Sequence, residues 1–209
     1  MNKPGLLRLP ILLHAVSLLP LILLVIDTLS GNLTANPIQE LTLRTGKLGL
    51  IFLILSLSCT PISTLTGWIY VLKARRPLGL YAFFYICLHV MVFIGLDYIF
   101  DFNLILTEIS EKRYVVAGIS AFVLLIPLAI TSTEGWMKRL GKKWKRLHRL
   151  VYLAAILVIV HFVWLVKSDI REPLIYGAVV FVLLFLRLPP VRKVISKVRR
   201  KHLAVYFSK

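Results

Sequence analysis

Acidic residues are scarce. Nine Asp and Glu stand against 26 Lys and Arg in 209 residues, and only 17% of the chain is charged. None of the nine acids lies inside a long apolar stretch, so the intramembrane carboxylate constellations of proton pumps are missing. Cysteine is nearly absent. Cys59 and Cys87 both fall in apolar runs, where a free thiol behaves as a small buried hydrophobe, and they form neither a disulfide framework nor a Cys-x-x-Cys site. No glycine-rich phosphate loop, Ser/His/Asp set or Cys/His zinc spacing occurs, so hydrolytic and nucleotide-dependent chemistry within the chain is not expected.

Apolar residues fill the chain instead: 58% is hydrophobic and the mean hydropathy is +0.84. Cutting at every charge leaves six long uncharged windows, 9–26, 48–72, 77–96, 114–133, 150–166 and 173–186. Their lengths approach the roughly 20 residues that cross a bilayer as a helix. The pattern predicts an all-α integral membrane protein, a six-transmembrane-helix bundle over residues 1–190 with a basic cytoplasmic tail at 191–209. The first window reads as a permanent helix rather than a cleaved signal, because its Leu-rich core runs to Asp27 with no Ala-x-Ala site. Pro61 is expected to end the steepest part of the second window, leaving 62–72, with Trp68 and Tyr70, as an interfacial segment. Pro127 is a candidate kink in the fourth window, Pro173 suits the first turn of the sixth helix, and Pro189 with Pro190 stops it. No internal repeat is visible.

A net charge of +17 would point to nucleic acid in a soluble protein. Here the charges alternate by loop. With a cytoplasmic N-terminus, the inner segments collect twenty basic residues and one acid, Glu134, while the outer loops hold six basic residues and eight acids. The positive-inside rule accounts for this distribution, both termini fall on the cytoplasmic side, and no nucleic-acid partner is required. The basic inner face would attract anionic membrane lipid or an acidic cytosolic partner. Outside, the loop 97–113 is the longest polar stretch, and Asp97, Asp101, Glu108 and Glu111 are candidates for docking a partner by charge.

Ionisable groups in lipid are costly and mark function, which directs attention to the histidines. His14, His89 and His161 lie in the first, third and fifth windows, and His148 precedes the fifth by two residues. At a rise of 1.5 Å per residue, His89 stands roughly 18 Å and His161 roughly 16.5 Å from the inner edge of two helices that run the same way. The two imidazoles can therefore face each other in one plane, as the axial pair of a b-type haem iron requires. Gly95, Ala154 and Ala155 are small residues that could leave space for a macrocycle or could simply pack helices. His148 would serve a second cofactor nearer the cytoplasm, with His14 as its possible partner, although a straight helix would point His148 and His161 to different sides. The competing reading is a non-redox transporter or scaffold whose histidines only bridge helices.

Three segments carry a resemblance: 13–20, LHAVSLLP; 75–80, RRPLGL, leading to Leu88-His89; and 128–167, which reads LAITSTEGWMKRLGKKWKRLHRLVYLAAILVIVHFVWLVK and contains His148 and His161. Together they make the chain similar to the MsrQ (YedZ) family and, more widely, to the ferric reductase-like transmembrane domain of ferric reductases and NADPH oxidases. That resemblance implies six helices with haem ligands on the third and fifth, here His89, His161 and His148. It also implies a b-type cytochrome subunit of the bacterial inner membrane. Electrons from the quinone pool or a cytosolic flavin reductase would pass to a periplasmic molybdopterin methionine sulfoxide reductase, MsrP, and FMN is a possible further cofactor. Substrate reduction is then expected on the partner chain, so this chain would be an electron-transfer subunit rather than an enzyme by itself. A stand-alone ferric reductase-like cytochrome is the related alternative. The flavin and nicotinamide domains of an oxidase are not expected within these 209 residues.

Overall fold

The computed structural model describes residues 5–166 and 168–207, and side chains within 11–166 and 168–199. Lys3, Lys167 and Lys209 lie outside the described residues, as do the side chains of Arg8, Arg200 and Lys201. Every window is helical: α1 (Gly5–Leu29), α2 (Pro37–Thr66), α3 (Arg75–Met91), α4 (Phe102–Glu111), α5 (Arg113–Ile130), α6 (Glu134–Leu140), α7 (Lys142–Leu147), α8 (Leu150–Leu165), α9 (Arg171–Phe185) and α10 (Pro189–Phe207). A 3-10 turn at Ile69–Lys73 enters α3, and a π-helical turn at Val92–Asp97 extends it.

Five segments are long and apolar enough to cross a membrane: Ile11–Leu29, Pro37–Thr66, Ile69–Asp97, Arg113–Ile130 and Lys142–Leu165. The protein is therefore multi-pass. A sixth crossing depends on α9, whose 15 residues rise only about 22 Å, short of a hydrocarbon core of about 30 Å. It qualifies only together with the start of α10, from which it is bent by 73°.

The bundle is organised around two extensively packed helix pairs, α2 with α3 and α5 with α8. Phe52, Leu53 and Leu57 of α2 pack with Ala82 and Tyr85 of α3, Ala155 of α8 and Val180 of α9. Leu125 and Leu128 of α5 pack with Ala154 of α8. Ala154 and Ala155 are both fully buried, so their small size lets α8 pack closely against α5 and against the α2–α3 pair. Tyr85, also fully buried, stacks on Phe52 and donates its hydroxyl to the Ser17 carbonyl at 2.7 Å, which ties α1 to the bundle.

Pro61 does not end its helix. α2 runs through it to Thr66 and stops at Gly67, whose φ of +80° is the left-handed conformation that a helix terminus takes with glycine. Proline has no N–H for the carbonyl four residues back, which is Leu57. Arg187 supplies the missing donor: its Nη2 lies 2.5 Å from that oxygen. At the end of α2, Nη1 of Arg199 donates to the carbonyls of Ser63 and Thr64 at 3.0 and 2.9 Å. The expected tail is thus a 19-residue helix folded back over α2.

Candidate functional site

His89 on α3 and His161 on α8 are brought together, their ring centroids 6.2 Å apart and their planes at 83°. Each ring is fixed the same way. Nδ1 of His89 lies 2.9 Å from the Thr42 carbonyl on α2, and Nδ1 of His161 lies 2.7 Å from the Tyr114 carbonyl on α5. A carbonyl only accepts, so each Nδ1 carries the proton and donates, and each Nε2 keeps its lone pair. This second bond to the ring is what sets a ligating histidine's tautomer and orientation.

Each ring also rests against a glycine one helical turn beyond the carbonyl that holds it. A Cβ at Gly46 would stand 3.0 Å from His89 Nδ1, and one at Gly118 would stand 2.8 Å from His161 Nδ1. The small residues singled out from sequence, Gly95, Ala154 and Ala155, do not have this role. Space beside Gly95 is filled by Phe100, and the alanines are in the core. The signal for Gly46 and Gly118 was a repeat: a shift of 72 residues carries Thr42, Gly46 and His89 onto Tyr114, Gly118 and His161. With one element shared by only three positions, it is invisible without the fold.

Chemically, the site offers two neutral imidazole nitrogens from opposite helix pairs. Two metal–nitrogen bonds of about 2.0 Å, with half a ring behind each, span about 6 Å, which matches the observed separation. No group of three or more His, Cys, Asp or Glu side chains suited to a metal ion occurs among the described residues. A bound metal would need its other ligands from a carrier such as a macrocycle, and the donor set fits haem.

His14 and His148 are built differently. His14 is exposed on α1, its Nδ1 2.9 Å from the Tyr81 hydroxyl on α3. His148 lies in the turn between α7 and α8, so the straight-helix phase relation to His161 does not apply. Its Nε2 is 3.1 Å from Thr131 Oγ1, which gives its own hydrogen to the Pro127 carbonyl at 2.6 Å. The His148 Nε2 therefore donates and its Nδ1 is the free nitrogen, the reverse of the other two. Its ring stacks on Trp144 at 4.0 Å, and the Trp144 indole donates to the Thr131 carbonyl. No ring contact joins His14 to His148 among the described residues.

All ion pairs among the described residues lie at the acidic end: Arg44 with Asp27 and Glu40, Lys47 with Glu172, Lys112 with Glu108, and Arg171 with Asp169. Loop 97–113 contains α4, which Asp101 caps by accepting from the Asn103 and Leu104 amides at 3.0 and 3.2 Å. Burial, with the Glu108 carboxylate beside it, pushes the Tyr98 phenol well up. Asp97 and Glu111 remain exposed and outside any ion pair among the described residues.

The family described as ferric reductase like transmembrane component matches residues 13–159, a span that ends two residues before His161. The heme-binding subunit MsrQ of protein-methionine-sulfoxide reductase from Rhodospirillum rubrum is 48% identical over 174 residues, 83% of this chain and 84% of that protein. Proteins of the same description from Herminiimonas arsenicoxydans and Xanthomonas euvesicatoria are each 46% identical, covering 89% and 83% of this chain and 87% and 82% of their own lengths. No solved structure matches the chain.

Proposed function

Because the chain belongs to the ferric reductase-like transmembrane components and to their MsrQ heme-binding subunits, we propose that it is a b-type cytochrome carrying electrons across the bacterial inner membrane. The observation that carries this reading is the His89–His161 pair: two imidazoles 6.2 Å apart, each turned by a backbone carbonyl so that Nε2 is left free. His89 and His161 would hold haem iron through their Nε2 atoms, and haem bound there would supply a one-electron couple within the membrane. The chain's own work is to fix both rings. Thr42 and Tyr114 hold the Nδ1 protons, while Gly46 and Gly118 let the rings lie close against α2 and α5.

The positive-inside distribution supports an orientation with the basic end and both termini cytoplasmic. Electrons would enter at that end, from quinone or from a cytosolic flavin reductase, and leave at the acidic end toward a periplasmic methionine sulfoxide reductase, MsrP. His148 belongs to the entry side, as a ligand of a second haem or as part of a donor site, and FMN is the other cofactor the family relationship brings into consideration. Arg146 and Arg149 flank it and are positioned in sequence to pair with anionic groups there.

A pyridine haemochrome assay and a reduced-minus-oxidised spectrum of the purified chain test the assignment. Wild type should carry a low-spin b-type signal that His89→Ala and His161→Ala each abolish and His14→Ala retains. An unchanged six-coordinate spectrum in both of the first two variants would exclude this ligand pair.

A further inference from the structure

We infer that the angle between α9 and α10 is a binding site for the phosphate of an anionic phospholipid headgroup. A cavity of about 300 Å³ lies there, lined by Arg187, Pro189, Arg192, Lys193 and Ser196. Its lining holds three cations and no acid, and Arg192 and Lys193 make no ion pair among the described residues.

Arg187 gives the site a fixed wall. Its Nη2 is taken by the Leu57 carbonyl that Pro61 leaves without a helical donor, and its Nη1 donates to the Tyr152 hydroxyl at 3.1 Å. The guanidinium lies 5.5 Å from the centre of the Tyr152 ring. Its third nitrogen, Nε, is buried and has no hydrogen-bond partner. A buried N–H without an acceptor is costly, and more so on a charged group. An anionic oxygen in the cavity would offset the charge of this incompletely paired guanidinium, and the Arg192 and Lys193 side chains would donate to the remaining oxygens.

The setting of α10 identifies the source of the phosphate. The helix turns 73° away from α9 and is held across the end of the bundle by the Arg199 bonds to α2. Val194 and Val198, one turn apart, are 62% and 50% exposed, while basic residues occupy the neighbouring positions. An exposed apolar stripe edged with Lys and Arg is the pattern of a helix lying in the membrane interface. Basic pockets between the ends of membrane helices at that level take phospholipid headgroups. The valines would then meet acyl chains beside a headgroup whose phosphate sits on Arg187, Arg192 and Lys193. This site is separate from the His89–His161 pair and does not depend on haem.

Native mass spectrometry of the full-length purified protein, titrated with short-chain phosphatidylglycerol or phosphatidylcholine, tests it. Wild type should retain one phosphatidylglycerol in preference to phosphatidylcholine. Each basic side chain at a membrane surface is worth roughly fivefold in binding, so R192Q/K193Q should weaken that retention about thirtyfold with helical content unchanged by circular dichroism. K142Q/K143Q, which removes the same charge elsewhere on the basic end, should leave it intact. Equal retention of the two lipids, or equal weakening in both double variants, would overturn the site. If millimolar inorganic phosphate displaced phosphatidylglycerol and stabilised the protein as strongly, the ligand would be soluble phosphate and the lipid assignment would be wrong.

Discussion

Gly118→Ala adds one methyl group on the wall of the proposed haem site. The new Cβ would stand 2.8 Å from His161 Nδ1, 3.0 Å from Cε1 and 3.4 Å from Cγ. A carbon needs about 3.5 Å from its neighbour, so the ring has to withdraw by several tenths of an ångström from the surface of α5. The carbonyl that holds the ring, Tyr114, lies on that same surface one turn away, and its bond is already short at 2.7 Å. Withdrawal therefore weakens the Nδ1–H bond, leaving a buried donor poorly paired at a cost of about 1–3 kcal/mol. Overpacking adds roughly another 1–3 kcal/mol, whereas the better helix propensity of alanine returns about 1 kcal/mol at most. The net effect falls on the orientation of Nε2, and loss of the hydrogen bond that orients a ligating ring typically weakens metal binding by about 10- to 100-fold. Haem per chain, measured by pyridine haemochrome after purification and dilution, should drop strongly in Gly118→Ala. It should drop less in Gly46→Ala, where the corresponding gap is 3.0 Å. Gly177→Ala is the control, because its Cβ would meet only the Cγ2 of Ile159 at 3.2 Å, away from both histidines. Full haem content and an unaltered spectrum in Gly118→Ala would refute the idea that this glycine sets the ring position.

Arg187→Leu should destabilise the bundle by about 1–3 kcal/mol, because it strands the Leu57 carbonyl, and a Pro61→Ala background should reduce that loss by restoring a helical donor; additive thermal shifts in the four-member cycle would remove the coupling. His148→Ala should lower electron input from the basic side while leaving the His89–His161 haem signal in place, and unchanged haem content, midpoint potentials and input rates would dismiss an entry-side role. At the acidic end, Asp101 also caps α4 and Glu108 is paired with Lys112, so of the four acids proposed for docking Asp97 and Glu111 are the first to test. D97K/E111K should slow electron delivery to the purified periplasmic reductase at low ionic strength and approach wild type at high salt, where the Debye length shrinks below about 8 Å; equal rates at both salts would end that proposal. Asp101→Ala should cost about 1 kcal/mol of stability in a thermal melt through the lost cap.

Much of this architecture was written along the chain. Uncharged apolar runs near twenty residues are suited to lipid, and a helix is the form that satisfies their backbone internally there, so the helical windows followed from composition. The common depth of His89 and His161 followed from the constant rise of a helix, and the structure sets the two rings face to edge. What depends on neighbours was not legible. Pro61 looked like a stop because a proline's cost is local, yet α2 continues because Arg187, 130 residues later, takes the carbonyl that proline abandons. Ala154 and Ala155 read equally as room for a cofactor and as close packing, and only the contacts of α8 with α5 on one side and with α2 and α3 on the other decided for packing. His14 and His148 are the same residue type as the other two, and their different partners, Tyr81 and Thr131, come from contacts across the bundle. The carbonyl, glycine and histidine sets at 42, 46 and 89 and at 114, 118 and 161 were present in the sequence from the start. A hydrogen bond from a ring to a backbone oxygen leaves no residue signature, so their meaning had to wait until the fold laid each histidine against its glycine.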